Sequence, residues 1–409
     1  MAHHSRDIPF TSIQAINKKS KFREIILFGV GNIAEKTLRL INDNNVFSIV
    51  DNASNLWGTN DLGVIVKPPE ILKELGQRTF VIICTTSFVE VTEQLLGFGL
   101  NANIDFCVSP VLNDLRIIDE LESIEKKLLF TSGSPKVDNS NFGGGIYEMF
   151  VSGDSWSHRK VISGNCYGLI KYGDNFISVD TERGIFEFDI NYNIIRQASL
   201  PEGIRAHGVD FSAKHERFFI VGSHLDGVLI LDINFKIIDQ INYSYKKSRT
   251  NSPWHHSNDC LVIDDSLFVS MFSKTGNWKR DVFDGTIVEF DIVTNETIGS
   301  IKENLWMPHN VKFIDGGIHV LNSLNGQLLS NNFQVIGEFP AFTRGLDYDG
   351  VFYFIGQSRN RNYSKNLGVS KNISIDAGII VFDATTKASR FLQLPPKISE
   401  IHSILLLDN

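Results

Sequence analysis

The sequence predicts an α/β domain with a glycine turn, followed by an all-β propeller of six blades closed by the C-terminal strand. Three observations carry this. A strand, glycine turn and helix open residues 23–120. Short apolar runs separated by Gly, Asn, Asp and Ser turns then repeat through residues 127–409. The last repeat begins at Ile401-His402-Ser403 and stops at Asn409, while matching strands stand unpaired at 127–132, 145–150 and 159–163.

Composition sets the outer bounds. Apolar residues make up 42% of the 409 and charged residues 21%, enough to bury a sizeable core and to exclude disorder. Lys and Arg number 39 against 47 Asp and Glu, a net charge of −8 that argues against nucleic acid as partner. No apolar run approaches the ~18–20 residues of a membrane span. Residues 1–22 form an N-terminal extension without the basic-then-apolar pattern of a secretory signal. Cys84, Cys107, Cys166 and Cys260 make no CxxC pair and three of them sit in or beside apolar runs, which predicts reduced thiols and a cytoplasmic location. A homo-oligomer remains open.

In residues 23–120 the run Glu24-Ile-Ile-Leu-Phe-Gly-Val-Gly31 reads as a strand closing on a turn. Gly29, Gly31 and Ala34 fit the G-x-G-x-x-G/A spacing, and Asn32 starts the following helix. Such glycines let backbone approach a diphosphate at a helix N-terminus. The second strand ends in Asp51-Asn52, about 20 residues after the glycines, where a ribose-binding carboxylate is expected. Thr79 to Cys84 and Ile104 to Val108 read as further strands, with a helix to Leu96 between them and a polar helix at 114–127 after them. The runs Ile-Leu-Phe-Gly-Val-Gly-Asn, Ile-Val-Asp-Asn and Leu-Gly-Val-Ile-Val-Lys-Pro-Pro-Glu-Ile-Leu resemble a small Rossmann-like domain of bacterial glycan enzymes. They are similar to the N-terminal domains of sugar acyltransferases and to accessory domains of sugar methyltransferases, over about 90 residues. That resemblance implies nucleotide or nucleotide-sugar recognition by Gly29, Gly31, Asp51 and Asn52. Asn32 joins them as a cofactor-binding candidate, for NAD(P) or a bound nucleotide. Acyltransferase hexapeptide repeats are absent downstream, so that activity is not implied.

The repeats align on their turns. Asn165-Cys166-Tyr167-Gly168, Ala206-His207-Gly208-Val209-Asp210, His256-Ser257-Asn258-Asp259, Pro308-His309-Asn310-Val311 and Thr343-Arg344-Gly345-Leu346-Asp347 each precede apolar strands. Units of ~35–58 residues have the size of a propeller blade. The grammar, above all Pro308-His309-Asn310-Val311 through Leu321-Asn322-Ser323, resembles the six-bladed propellers of the gluconolactonase and regucalcin group and of virginiamycin-type lyases. It also resembles an uncharacterised bacterial propeller family. No acidic first calcium ligand is found, so lactonase activity is not implied.

Alternate loops of an antiparallel blade share a face. His207, His256, His309 and His402 are therefore expected at four of six inner-strand starts, with Arg344 at a fifth and Asn165 or Tyr167 at the sixth. Converging imidazoles are candidate ligands for a divalent transition metal, or a general base beside an arginine that stabilises negative charge. Equally, each His could cap a turn against its neighbouring blade. His224 and His255 are expected on the same face. Two long insertions join them, 273–285 with Trp278, Lys279 and Arg280, and 357–377 with Arg359 and Arg361. Their basic and aromatic content suits an anionic ligand. A further basic-aromatic loop spans 243–249.

The combined expectation is an enzyme of bacterial surface-glycan or nucleotide-sugar biosynthesis. It would act on an anionic or nucleotide-linked small-molecule sugar by lyase, epimerase or isomerase chemistry. An NAD(P)-linked sugar oxidoreductase and a non-catalytic propeller binding a glycan or a protein are the alternatives.

Overall fold

A strand that is apolar without interruption must be buried on both faces. The structure, a computed structural model, describes residues 8–11, 13–41, 46–75, 78–133, 141–250, 252–359 and 372–407. The chain divides into two compact units, Met1–Glu122 and Ser123–Asn409.

The first unit runs α1 (Ile13–Ser20), β1 (Glu24–Phe28), α2 (Asn32–Leu40), β2 (Val46–Val50), β3 (Asn60–Asp61), β4 (Val64–Lys67), α3 (Leu72–Leu75), β5 (Thr79–Ile83), α4 (Phe88–Gly97), β6 (Phe106–Val108) and α5 (Asn113–Glu122). The sheet order is β3-β4-β2-β1-β5-β6. Ile26 and Phe28 of β1 enter an apolar layer with Val91 and Leu95 of α4, while Ile25 and Leu27 enter the opposite layer with Ala34 of α2. Five strands are parallel, but β3 pairs antiparallel with β4 across the Leu62-Gly63 turn, so the sheet is mixed. The chain before β1 belongs to this unit: Ile16 is fully buried in the α2 layer, and Val108 N donates to Pro9 O at 2.9 Å. The helix expected at 114–127 stops at Glu122, because Glu125 already pairs with Ser152 in the propeller.

Among its described residues the second unit is six four-stranded antiparallel sheets. The first blade is Cys166–Tyr172, Asn175–Asp180, Gly184–Phe188 and Ile194–Ala198, and the next four follow in chain order. The sixth pairs Ile404–Leu407 with Glu125–Ser132, then adds Gly145–Ser152 and Ser155–Ser163. Unbroken apolar runs arise because each blade is sandwiched. In the second blade Phe218 and Ile220 pack toward the first, while Phe219 and Val221 pack toward the third. The basic-aromatic stretch read as a loop contains a short helix, α6 (Tyr245–Thr250), whose Lys247 N–H is capped by Ser244 Oγ at 3.0 Å. No helix among the described residues is long and apolar enough to cross a membrane.

Inner strands converge on the propeller axis, and convergence restricts their sequence. In five of them the pairing register skips, between Cys166 and Leu169, Ala206 and Val209, Ser257 and Asp259, His309 and Lys312, and Thr343 and Leu346. Such bulges re-aim a side chain. Backbone of the next blade then comes so close that a Cβ on Gly168 would lie 2.7 Å from His207 O, and one on Gly208 2.6 Å from Asp259 Cα. Gly208→Val is expected to lower the melting temperature by roughly 3–10 °C. Gly299→Ala, with nothing within 4 Å of the new Cβ, is expected to leave the melting temperature within a degree or so. Circular-dichroism melts of both variants check the pair.

Candidate functional site

Hydrogen-bond register, rather than residue identity, decides which side chains are equivalent. Counted from the pairing of each inner strand with the next, the six equivalent positions hold Tyr167, His207, Asn258, His309, Arg344 and His402. This corrects the expectation of four equivalent histidines. His256 stands two residues earlier, at the place of Arg205, and shares its left-handed backbone (φ 51° and 49°). Both residues' carbonyls accept from the residue after the second strand, Phe272 N at 3.2 Å and Ser223 N at 3.0 Å. Tyr167, not Asn165, takes the sixth position; Asn165 N donates to the Asp180 carboxylate at 2.6 Å.

All six ring residues are at most 9% exposed, so their polar atoms must find partners in the surrounding protein, in water or in a ligand. Tyr167 stacks on His207 with centroids 4.2 Å apart and meets His402 at 4.4 Å. Gly133 permits that approach, since a Cβ there would lie 2.6 Å from the tyrosine ring and 2.8 Å from His402 Nε2. His207 lies edge-on to His402 at 5.9 Å and to His256 at 6.0 Å. His256 stacks on Phe272 at 4.3 Å and contacts Trp278 at 4.8 Å. Phe272 also meets His309 edge-on at 5.3 Å, and His309 meets Phe342 at 5.5 Å.

One half of the ring carries charge. His402 Nε2 lies 3.0 Å from Glu400 Oε2 and 3.3 Å from Arg344 Nη1, and Arg344 and Glu400 form an ion pair at 3.6 Å. The guanidinium sits over Phe342, 4.7 Å from the ring centre. The other half is neutral. Burial first, then His402 and His256, hold the His207 imidazole far below its usual pKa. Burial and then Arg344 do the same to His309. His256 is pushed down to about 3, by enclosure first and then by Arg205, His224, Arg344 and Lys279. Here His207 Nε2, Asn258 Oδ1, His256 Nδ1 and Trp278 Nε1 are buried without a hydrogen-bond partner among the described residues. Beside this half a cleft of about 270 Å³, lined by Asp180, Glu182, Glu202 and Arg205 among others, runs between the first two blades.

The remaining candidates fall in different places. Asp226, buried, accepts from the backbone N–H groups of Trp254, His255 and His256 at 2.6–3.2 Å and so holds the His256 turn. His255 Nδ1 is spent on Ser273 O at 2.9 Å. His224 lies in the same turn region, its pKa lowered by burial and by Arg205. Lys246 Nζ ties down the 273–285 insertion through Thr275 O (2.6 Å) and Gly276 O (3.2 Å). Lys279 reaches Ser252 at 3.1 Å, and Arg280 is exposed. Arg359 is engaged by Ile375 O and Pro396 O, both at 3.2 Å; Arg361 lies outside the described residues.

Two cofactor expectations meet geometry that does not fit them. No group of three or more His, Cys, Asp or Glu among the described residues is arranged to hold a metal ion. His309 Nδ1 is committed to Met307 O (3.0 Å) and Ser323 Oγ (2.9 Å), Phe272 separates His309 from His256, and a guanidinium faces His402 Nε2. In the first unit, Gly29 and Gly31 have φ of 113° and 111° and open the start of α2. The Asp51 carboxylate, however, accepts from Val30 N (3.0 Å) and Ala53 N (2.8 Å), bracing the glycine turn where ribose binding would need it. Asn52 is paired with Gln94, its Nδ2 donating at 2.9 Å.

Sequence reading missed Asn258, because a histidine two residues away drew the alignment, and Glu400. The alternation Glu400-Ile401-His402 puts both polar side chains on one face of an extended segment, which is the signal that was available.

Residues 254–409 match the model of a family described as a domain of unknown function, DUF4915. No curated protein sequence matches the chain. Among solved structures it is similar to the nidogen/laminin complex, at 9% identity, covering 69% of this chain and 98% of that one (TM-score 0.48). It is similar also to a protein from Lactobacillus plantarum (13%, 70% and 100%, TM-score 0.43). A third is the calcium-binding protein regucalcin from Agrobacterium tumefaciens (12%, 57% and 75%, TM-score 0.41). By its own sheets the chain is a two-unit protein, a mixed α/β unit followed by a six-bladed propeller.

Neutral buried imidazoles make stability acid-sensitive. A depressed pKa gives stability that is full above the unfolded value of 6.5 and is lost as pH falls below it. Replacing His256 by Gln removes one such site. Between pH 8 and pH 5 the variant is therefore expected to lose less unfolding free energy than the parent, by on the order of 2 kcal/mol. Urea unfolding at the two pH values checks this; equal losses would refute it.

Proposed function

We propose that the charged half of the propeller ring is an acid–base centre that takes the proton α to the carboxylate of an acidic sugar. The observation that carries this reading is the position of His402 Nε2 between a carboxylate and a guanidinium, at 3.0 and 3.3 Å. Arg344 donates to the substrate carboxylate and opposes the negative charge that spreads onto it as the C–H bond breaks. Glu400 and Arg344 both face His402 Nε2, which orients the ring, and His402 is the base. The imidazolium formed when His402 takes the proton is stabilised by Glu400, as a carboxylate behind a catalytic histidine does. The step is common to elimination, epimerisation and isomerisation. Phe342 and Tyr167, packed against Arg344 and His402, exclude water and raise the worth of each charge.

The test incubates the full chain with glucuronides and galacturonides in deuterated buffer and follows exchange at the carbon α to the carboxylate by NMR, alongside ultraviolet absorbance of an unsaturated product. Arg344→Met and His402→Gln are each expected to lower the rate by about 10²-fold or more. Glu400→Gln is expected to lower it by about tenfold to a hundredfold. Binding of the acids without exchange or product would instead identify a non-catalytic sugar-binding propeller.

A further inference from the structure

The neutral half of the ring holds four buried polar atoms that the acid–base chemistry does not use. His207 Nε2 and Asn258 Oδ1 belong to equivalent positions of adjacent blades, and both residues are nine-tenths or more buried. The His256 ring, 6.0 Å from His207, brings Nδ1, and Trp278, 4.8 Å from His256, brings its indole N–H. The orientation of Asn258 is set, because its Nδ2 donates to two carbonyls, His256 O at 3.2 Å and Pro308 O at 3.4 Å. Its free oxygen is therefore an acceptor.

Chemically the set is mixed. Trp278 can only donate and Asn258 Oδ1 only accept, while a neutral imidazole nitrogen does either according to tautomer. Burial keeps the two histidines neutral. A carboxylate or phosphate would leave the Asn258 acceptor unpaired, and a cation would leave the indole N–H unpaired. Hydroxyl groups satisfy every member, since each both donates and accepts. Stacked rings of Tyr167 and Phe272 back the two histidines and hold their planes.

We propose that His207, Asn258, His256 and Trp278 form a hydroxyl-reading arc, which makes the ring selective for a polyhydroxylated ring over a plain carboxylate. The proposal rests on the acidic-sugar reading only for what Arg344 holds opposite the arc. Its substrate class is a pyranose acid with adjacent free hydroxyls, and these four side chains determine specificity rather than carry out the proton transfer.

The test measures binding of D-glucuronate, D-galacturonate, cyclohexanecarboxylate and D-glucose to the full chain by calorimetry, for the parent, His207→Phe and Trp278→Phe. Phenylalanine keeps ring packing at both positions and removes the nitrogen. The parent is expected to bind at least one sugar acid about tenfold or more tighter than cyclohexanecarboxylate. Each variant, at the parent's melting temperature, is expected to lose about tenfold for the sugar acid and less than about twofold for cyclohexanecarboxylate. Equal binding of the two acid types by the parent overturns the proposal. So does a variant that melts as the parent does and leaves the preference intact. D-glucose binding that these variants weaken, without binding of any acid, supports the arc and removes the acidic-sugar reading. Failure of all four ligands overturns both. Should His207→Phe not fold, Trp278→Phe on the insertion decides alone.

Discussion

Crowding of six inner strands around one axis is the constraint on which the rest of the propeller depends. Where the strands come closest, side chains larger than a few atoms have no room. The position after each ring residue is accordingly Gly168, Gly208, Asp259, Asn310, Gly345 or Ser403. Asn310 uses its short side chain to tie blades together: its Oδ1 accepts from Gly345 N at 2.5 Å and its Nδ2 donates to His402 O at 3.0 Å. The same crowding forces the register skips, and a skip turns the ring residue toward the axis. Packing and display of functional groups are one event here.

What those groups can do follows from their dielectric surroundings. An imidazole enclosed by aromatic rings and faced by guanidinium groups holds its neutral form, so three histidines of the ring region act as polar, uncharged surface. Only where Glu400 supplies a buried negative charge beside Arg344 does the ring hold a charged cluster. A buried ion pair contributes little to stability after its desolvation cost; keeping one at the axis makes sense as chemistry. The inner strands also carry half-buried carboxyl groups, Asp210 pushed up to about 6 and Asp259 to about 7 by desolvation, both eased by Lys312. Asp210 accepts from Val262 N of the next blade at 2.7 Å and Asp347 from Leu406 N at 2.7 Å, which makes them latches between blades.

The architecture was legible because it is local and repeated. The run 218–221 within Arg217–Gly222 is apolar throughout since both faces meet other blades, and every blade returns a similar pattern. In the first unit, the apolar strand and its glycines likewise announce a βα turn. The site was legible to a lesser degree. Matching histidine to histidine placed His256 where the hydrogen-bond register puts Asn258, and no local pattern distinguishes the two alignments. Asp51 stood at the spacing of a ribose ligand, yet its carboxylate closes on Val30 N and Ala53 N. Spacing along the chain says where a carboxylate is, not which donor reaches it first.

By itself, then, the sequence determined the two kinds of unit, the six-blade count and the gathering of histidines and Arg344 at inner-strand starts, because each rests on periodicity or on turn residues. Tertiary structure alone decided that Asn258 joins the ring, that Arg344 meets Glu400 and His402, and that Phe272 parts His256 from His309. Those relations join residues tens of positions apart in the chain, and short distances between such residues are set by packing around the axis. The ring thereby divides into a charged half and a neutral one, a division that no stretch of the chain contains.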